Sequence, residues 1–417
     1  MRTLVRTIRR LVLGNAAVRA VWGLFRKDQH ERHYRSWTVE YREASRKRGY
    51  SYGYENSFAE ARNRLPGTPS GKARGEVHTA IVALTKSWGA GLVHEAEELG
   101  YASVYDWEKR GFSEGKADFW ESLPRLQEDL LGFLRERSAE RPIDWLLLTT
   151  NGDFVLRDTI RRIREEFGIP VVSQSLDDKH TFKKGPGPHG QDRGQLGIAP
   201  ACDLVWTSSS VAVDWYAAEG AVPVFLPEGF SPRLTPRLPR KELFDVGFLG
   251  QRTPPRERLV NACRRAGLSV QARGYGWPDG SVGLEDMGKF FSENRVNLGI
   301  GGVNYSMGLT TLKGRDFEVP GAGQTYLTTF DPDLALCFHV GTEIACYGNS
   351  FHMVDLAYEL ARNETWRVDM GERAYERSMR EHRWLQRYEW ILTNLGIMAP
   401  GAETAAAPTV AQVPARR

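Results

Sequence analysis

The sequence predicts two doubly wound α/β domains in tandem, facing each other across a cleft, behind a basic helical extension. Three observations predict it. Short runs that are apolar throughout alternate with stretches of helical period, the pattern of parallel strands covered on both faces. The alternation breaks at 231–240 (SPRLTPRLPR), where three prolines and three arginines in ten residues read as a linker. It then restarts at Phe244. The 417 residues suffice for two such domains, and 41% hydrophobic with 26% charged residues excludes a globally disordered chain.

The extension spans 1–76. Residues 1–50 carry thirteen Lys and Arg against four Asp and Glu, and an acidic remainder brings the total down to +4. A mildly acidic body is no nucleic-acid surface, so no nucleic-acid partner is expected. Within 1–27, Arg2, Arg6, Arg9, Arg10 and Arg19 alternate with Leu4, Val5, Ile8, Leu11, Val12, Trp22 and Phe25. Two roles stay open for this segment: a helix lying on an anionic membrane surface, or a helix packed on the protein's own body. A helix over 31–47 follows, then irregular chain through 50–75. No run approaches the ~20 apolar residues of a membrane span. Cys202, Cys263, Cys337 and Cys346 form no CxxC pair, which disfavours a zinc module or disulfide scaffold and fits a reducing cytoplasm.

The first domain, 77–230, opens with an apolar strand over 77–85. Gly89 and Gly91 follow in a turn after Trp88. Glycines there let a ligand approach the backbone, or simply make a tight turn. A helix over 92–99 and a strand over 101–105 come next. Leu123, Leu126, Leu130, Leu131 and Leu134 predict a helix over 119–140. Strands over 144–150, 171–176, 204–208 and 222–226 alternate with helices over 154–167 and 211–219. Asp177, Asp178 and His180 stand at the C-terminal end of the fourth strand, where doubly wound sheets bind ligands. Asp178 and His180 are the candidate catalytic residues, suited to taking a proton from a hydroxyl. The alternative is an Asx-type turn opening a helix. Lys183, Lys184, His189 and Arg193, among glycines and prolines, read as a mobile basic loop over the cleft.

The linker spans 231–243 and the second domain 244–400. Strands are predicted over 244–249, 270–274, 296–300, 325–328 and 343–347. Helices are predicted over 257–266, 284–294, about 315–320, 351–362 and 370–394, the last placed to cross back to the first domain. The Ala-, Pro- and Thr-rich tail 401–417 reads as disordered. Gly250 ends the first of these strands, and a proline-started helix follows with Arg252 and Arg256. Free N–H groups, a positive dipole end and two full charges suit a phosphate, although an ordinary turn with solvated arginines uses the same residues. Glu318 lies on a short helix that ends in Gly321 and Gly323, with Lys313 and Arg315 a turn or less before it. A carboxylate so placed accepts hydrogen bonds from ribose hydroxyls, and the two cations can face phosphate; a mixed-charge surface helix is the alternative.

The ordered set DVGFLGQ, GYGW, NRVNLGI, GRDFEVPGAGQTYLTT, FHVGTEIACYGN and REHRWLQRYEWIL resembles the CgeB-like glycosyltransferases, GT-B enzymes named for a spore maturation protein. VVSQSLDDKHTF, CDLVWTS and FLPEG extend the resemblance into the first domain. It covers residues 145–395 by motif and 77–144 by pattern, and leaves 1–76 outside. The resemblance implies the GT-B fold of two Rossmann-like domains. It implies a nucleotide-diphosphate sugar held by the second domain and a hydroxyl acceptor (glycan, lipid, protein or small molecule) held by the first. By the same resemblance Glu318 binds ribose, and Gly250 and Arg252 contact the donor phosphates. Tyr275 and Trp277 flank the base, and Asn304 lies in the loop near the sugar or pyrophosphate. Val319-Pro320 and Gln324 depart from the family pattern and predict a shortened helix under Glu318. No DxD stands at a strand end, so neither an essential metal nor another cofactor is expected. The expected activity is a hexosyl-type transfer in the cytoplasm, at the inner face of the membrane if 1–27 bind it. Rival readings are a GT-B epimerase or phosphorylase, a non-catalytic nucleotide-sugar-binding module, and a membrane-surface adaptor.

Overall fold

The computed structural model describes residues 16–86, 89–303 and 306–401. Two helices lead, α1 (Ala16–Lys47) and α2 (Tyr54–Arg64). The first sheet and its helices follow as β1 (Val77–Val82), α3 (Gly89–Glu97), β2 (Gly100–Tyr105), α4 (Phe119–Glu140), β3 (Trp145–Leu148), α5 (Arg157–Phe167), β4 (Val171–Ser175), α6 (Asp178–Thr181), β5 (Leu204–Thr207), α7 (Ala212–Ala218) and β6 (Pro223–Phe225). The second unit comprises β7 (Phe244–Leu249), α8 (Pro254–Arg265), β8 (Val270–Arg273), α9 (Met287–Ser292), β9 (Asn294–Leu298), α10 (Arg315–Gly321), β10 (Tyr326–Thr329), β11 (Ala345–Tyr347) and α11 (Ser350–Arg362). Then come α12 (Glu364–Glu381) and α13 (Trp384–Leu395).

Both sheets are parallel throughout, in the orders β2-β1-β3-β4-β5-β6 and β11-β10-β9-β7-β8. The strand order therefore reverses between β1 and β3 and between β7 and β9, the two places where such sheets open a crevice. The central strands β1, β3, β4 and β5 are buried along their whole length, which is why they lack the alternation of a half-exposed strand. The leucine stripe of α4 covers one face of the first sheet together with α5. The other face is covered by α13, whose Trp384, Tyr388, Ile391 and Leu392 meet Trp145, Leu204 and Trp206.

Two expectations need correction. The stretch 54–64 is a helix rather than irregular chain; it buries little beyond Ser57, Phe58 and Ala61, too few positions to display a period. The last predicted helix is two helices. They separate at His382 and Arg383, because Phe230 N donates to the His382 carbonyl and Trp384 N donates to the Phe230 carbonyl, in place of bonds that would continue one helix. The linker segment packs on the body, with Leu234 and Thr235 buried.

In α1, Tyr34, Trp37, Tyr41 and Ala44 pack on Phe182, Trp215 and Tyr216, so residues 34–44 lie on the protein's own body. Of the basic segment 1–27, residues 1–15 lie outside the described residues, and 16–27 contribute helical backbone. The tail from 402 also lies outside them. Among the described residues no helix is long and apolar enough to cross a membrane.

Candidate functional site

The C-terminal ends of the two sheets face each other around a cavity of about 260 Å3. From the first sheet Leu176 and Asp177 reach it after β4, and Glu228 after β6. From the second come Gly250 after β7, Gly299 and Ile300 after β9, Arg256 from α8, and Lys313, Gly314, Arg315 and Glu318 at α10. A larger hollow of about 460 Å3, between Glu359 and Trp366, lies at the α11–α12 junction away from both strand ends.

Three cations line this cavity. Arg256 donates to the Gln251 carbonyl at 3.2 Å, and its buried Nε has no partner among the described residues. Burial pushes its guanidinium below the usual range, the signature of a cation short of counter-charge. Lys313 Nζ reaches across the cleft to Asp177 Oδ1 at 2.9 Å. The desolvating walls alone would raise the Asp177 carboxyl, but Lys313 overrides them, and it sits at about 2. Arg315 pairs with buried Glu318 one turn on, and its Nε is also unpartnered. Asp316 fixes the start of this helix by accepting from Lys313 N at 2.8 Å and Tyr326 OH at 2.7 Å. Burial pushes Asp316 up to about 6. The helix α10 is seven residues long with Pro320 in its last turn, and it aims Glu318 into the cavity.

Several predicted site residues lie elsewhere. Asp178 is fully buried and accepts hydrogen bonds from Ser175 Oγ at 2.5 Å and from the Thr207 and Tyr216 hydroxyls. It faces the first domain's core and is outside the cavity lining, which its neighbour Asp177 joins. His180 lies edge-on to His30, ring centroids 6.1 Å apart, outside the cavity lining, and burial lowers its pKa. The basic loop is built rather than mobile. Lys184 and Arg193 both pair with Asp153 at 2.8 Å, and Asp192 accepts from three backbone N–H groups.

Arg252 points to the surface, paired with Glu257 at 2.5 Å and lying over Trp277. Arg256, one turn further along, is the residue on the inner side. Trp277 is a core residue rather than a base platform: it is buried against Phe248 and donates to the Gly250 carbonyl at 2.9 Å. Tyr275 is 77% exposed and outside the cavity lining. Gly321 and Gly323 serve packing and chain reversal. A Cβ on Gly321 would stand 2.4 Å from the Phe230 ring, and Gly323 has φ of 70°. Gly89 and Gly91 open α3. A Cβ on Gly89 would stand 2.3 Å from the Leu84 carbonyl, and Gly91 packs on Ser231 and Trp384; neither belongs to the cavity lining. Asn304 and Trp88 lie outside the described residues. Lys313, Arg315, Glu318 and Gly250 are brought together as predicted from the sequence. The prediction passed over Glu228, whose signal was its place directly after a strand in Leu226-Pro227-Glu228-Gly229.

Comparison with known proteins places this geometry in a class. Residues 252–393 match a family model described as glycosyl transferase-like. No curated protein matches the sequence. Among solved structures the chain is similar to sucrose-phosphate synthase from Thermosynechococcus elongatus, at 12% identity and a TM-score of 0.53, over 77% of this chain and 97% of that one. It is also similar to AviGT4, a glycosyltransferase involved in avilamycin A biosynthesis, at 15% identity and a TM-score of 0.50, over 78% and 99%. The fold is therefore GT-B, two parallel-sheet Rossmann-like domains. Family match and fold together support glycosyl transfer in general.

Proposed function

We propose that this chain is a CgeB-like glycosyltransferase moving a hexosyl group from a nucleotide-diphosphate sugar to a hydroxyl acceptor. One observation carries the reading: Arg256, Lys313 and Arg315 converge with Glu318 on one cavity at the β7/β9 reversal. Arg256 and the start of α8 are placed for the diphosphate. Glu318 exchanges its Arg315 partner for ribose hydroxyls, releasing Arg315 toward phosphate. Fixed cations aimed at the leaving diphosphate stabilise the charge that develops as the glycosidic bond breaks. On this reading the protein's own cations neutralise the diphosphate and no metal is required. The acceptor, a cell-envelope or spore-coat glycan or a secondary metabolite, enters from the first-domain side. The reaction belongs in the cytoplasm, where the four free cysteines stay reduced, and at the inner face of the membrane if residues 1–27 bind it.

Calorimetric titration with UDP, GDP, dTDP and ADP and with their glucose conjugates tests this. One nucleotide binds in the micromolar range, and Glu318→Ala weakens it at least tenfold, since charge-assisted bonds are worth about 1.5–3 kcal/mol each. Folded protein that binds none of them refutes the donor site.

A further inference from the structure

Three side chains reach the cavity from the first domain, and two of them are accounted for. Leu176 is apolar wall, and Asp177 is engaged by Lys313. The third, Glu228, is 5% exposed and lines the cavity, and none of the hydrogen bonds or ion pairs among the described residues involves its carboxyl. A buried carboxyl without a protein partner is costly to keep, and in native structures it marks a group that meets something else.

Its position says what that is. A Cβ on Gly314 would lie 3.6 Å from Glu228 Oε2 and 3.4 Å from Glu318 Oε1, so the two carboxyls flank one narrow gap from opposite domains. Glu318 and the three cations occupy the second-domain side, where the nucleotide is held. The portion of a donor that protrudes toward the first domain is the transferred sugar. We infer that Glu228 binds the transferred sugar through its hydroxyls and so helps to select it. This rests on the donor site proposed above. A carboxyl suits the task in either state: ionised it accepts from two hydroxyls, protonated it donates to one and accepts from another. Burial first, then Asp177, raises its pKa well above the usual carboxylate range, which favours the protonated form in the empty cleft. The turn that carries it is held by Arg387, whose guanidinium donates to the Pro227 and Glu228 carbonyls.

The test compares the free nucleotide with its glucose, galactose, mannose and N-acetylglucosamine conjugates by calorimetry, on the full chain and on Glu228→Gln and Glu228→Ala. The free nucleotide binds all three proteins within twofold. The preferred conjugate loses about tenfold in Glu228→Ala, less in the isosteric Glu228→Gln. If free nucleotide and conjugates weaken together, or no conjugate changes, the inference is overturned while the donor site stands. If the unmodified chain binds no nucleotide, both fall.

Discussion

Asp177 and Asp178 are neighbours in sequence with opposite fates. Asp177 has φ −128° and ψ 33°, outside the helix that Asp178 begins, and this bend sends one carboxyl to the cleft and the other to the core. Replacing Asp178 by Ala removes the shared acceptor of three buried hydroxyls, of which only Thr207 keeps another in the Ser209 carbonyl, so Asp178→Ala costs roughly 2–4 kcal/mol of stability. Its folded fraction keeps nucleotide affinity. Denaturant unfolding and titration of the same preparation check both, and unchanged stability with lost turnover would restore Asp178 to catalysis. The sequence told that a carboxylate pair stands at a strand's C-terminal end, because strand ends are marked by the change from apolar to polar residues. It did not tell which of the pair faces the cleft, since that depends on the dihedrals of one residue. Arg252 and Arg256 repeat the lesson, one helical turn deciding between the surface and the cavity.

The helix α13 does at the level of elements what no nearby segment can do for the cleft. It leaves the second domain, crosses back, and covers one face of the first sheet. Its Arg387 is fully buried and donates to the carbonyls of Pro227 at 3.2 Å, Glu228 at 3.3 Å and Glu381 at 2.5 Å, and to His382 Nδ1 at 2.9 Å. Burial lowers its pKa only to about 10, so it stays cationic, while burial and Arg387 together keep His382 neutral. Arg387→Met fills a similar volume but leaves four acceptors without a donor. It costs about 3–5 kcal/mol, the range for breaking a buried charged network, and weakens sugar-dependent binding more than binding of the free nucleotide. Equal loss of both would show that the Arg387 contacts set the whole fold rather than the Glu228 turn. The sequence predicts a last helix over 370–394 placed to cross back, and a helix over 384–395 does so. The break at His382 was not legible, because its cause is a bond to Phe230, more than 150 positions away in the chain.

At the scale of the molecule, two α/β domains joined by a linker ordinarily move and unfold separately, unless their interface is large and apolar. Here Val213, Phe225 and Phe230 of the first domain and linker entry share one buried cluster with Phe317, Val319, Phe338 and Ile344 of the second. Polar ties surround it: Ser210 Oγ donates to Asp333 at 2.6 Å, and Lys179 Nζ to the Thr310 carbonyl at 2.8 Å. The first sheet is also incomplete without α13, which the chain supplies after the second domain. Neither unit can lose its structure without exposing the other's core, so unfolding couples them. Scanning calorimetry then gives one cooperative transition for the full chain, and a fragment carrying residues 244–400 lacks a stable fold because α13 has no sheet to cover. Saturating nucleotide raises that single transition by mass action, about 2.7 kcal/mol at a hundredfold excess over Kd. Two resolved transitions, only one of them moved by nucleotide, would mean that the cluster is a contact between independent domains, and that the cleft opens by parting it.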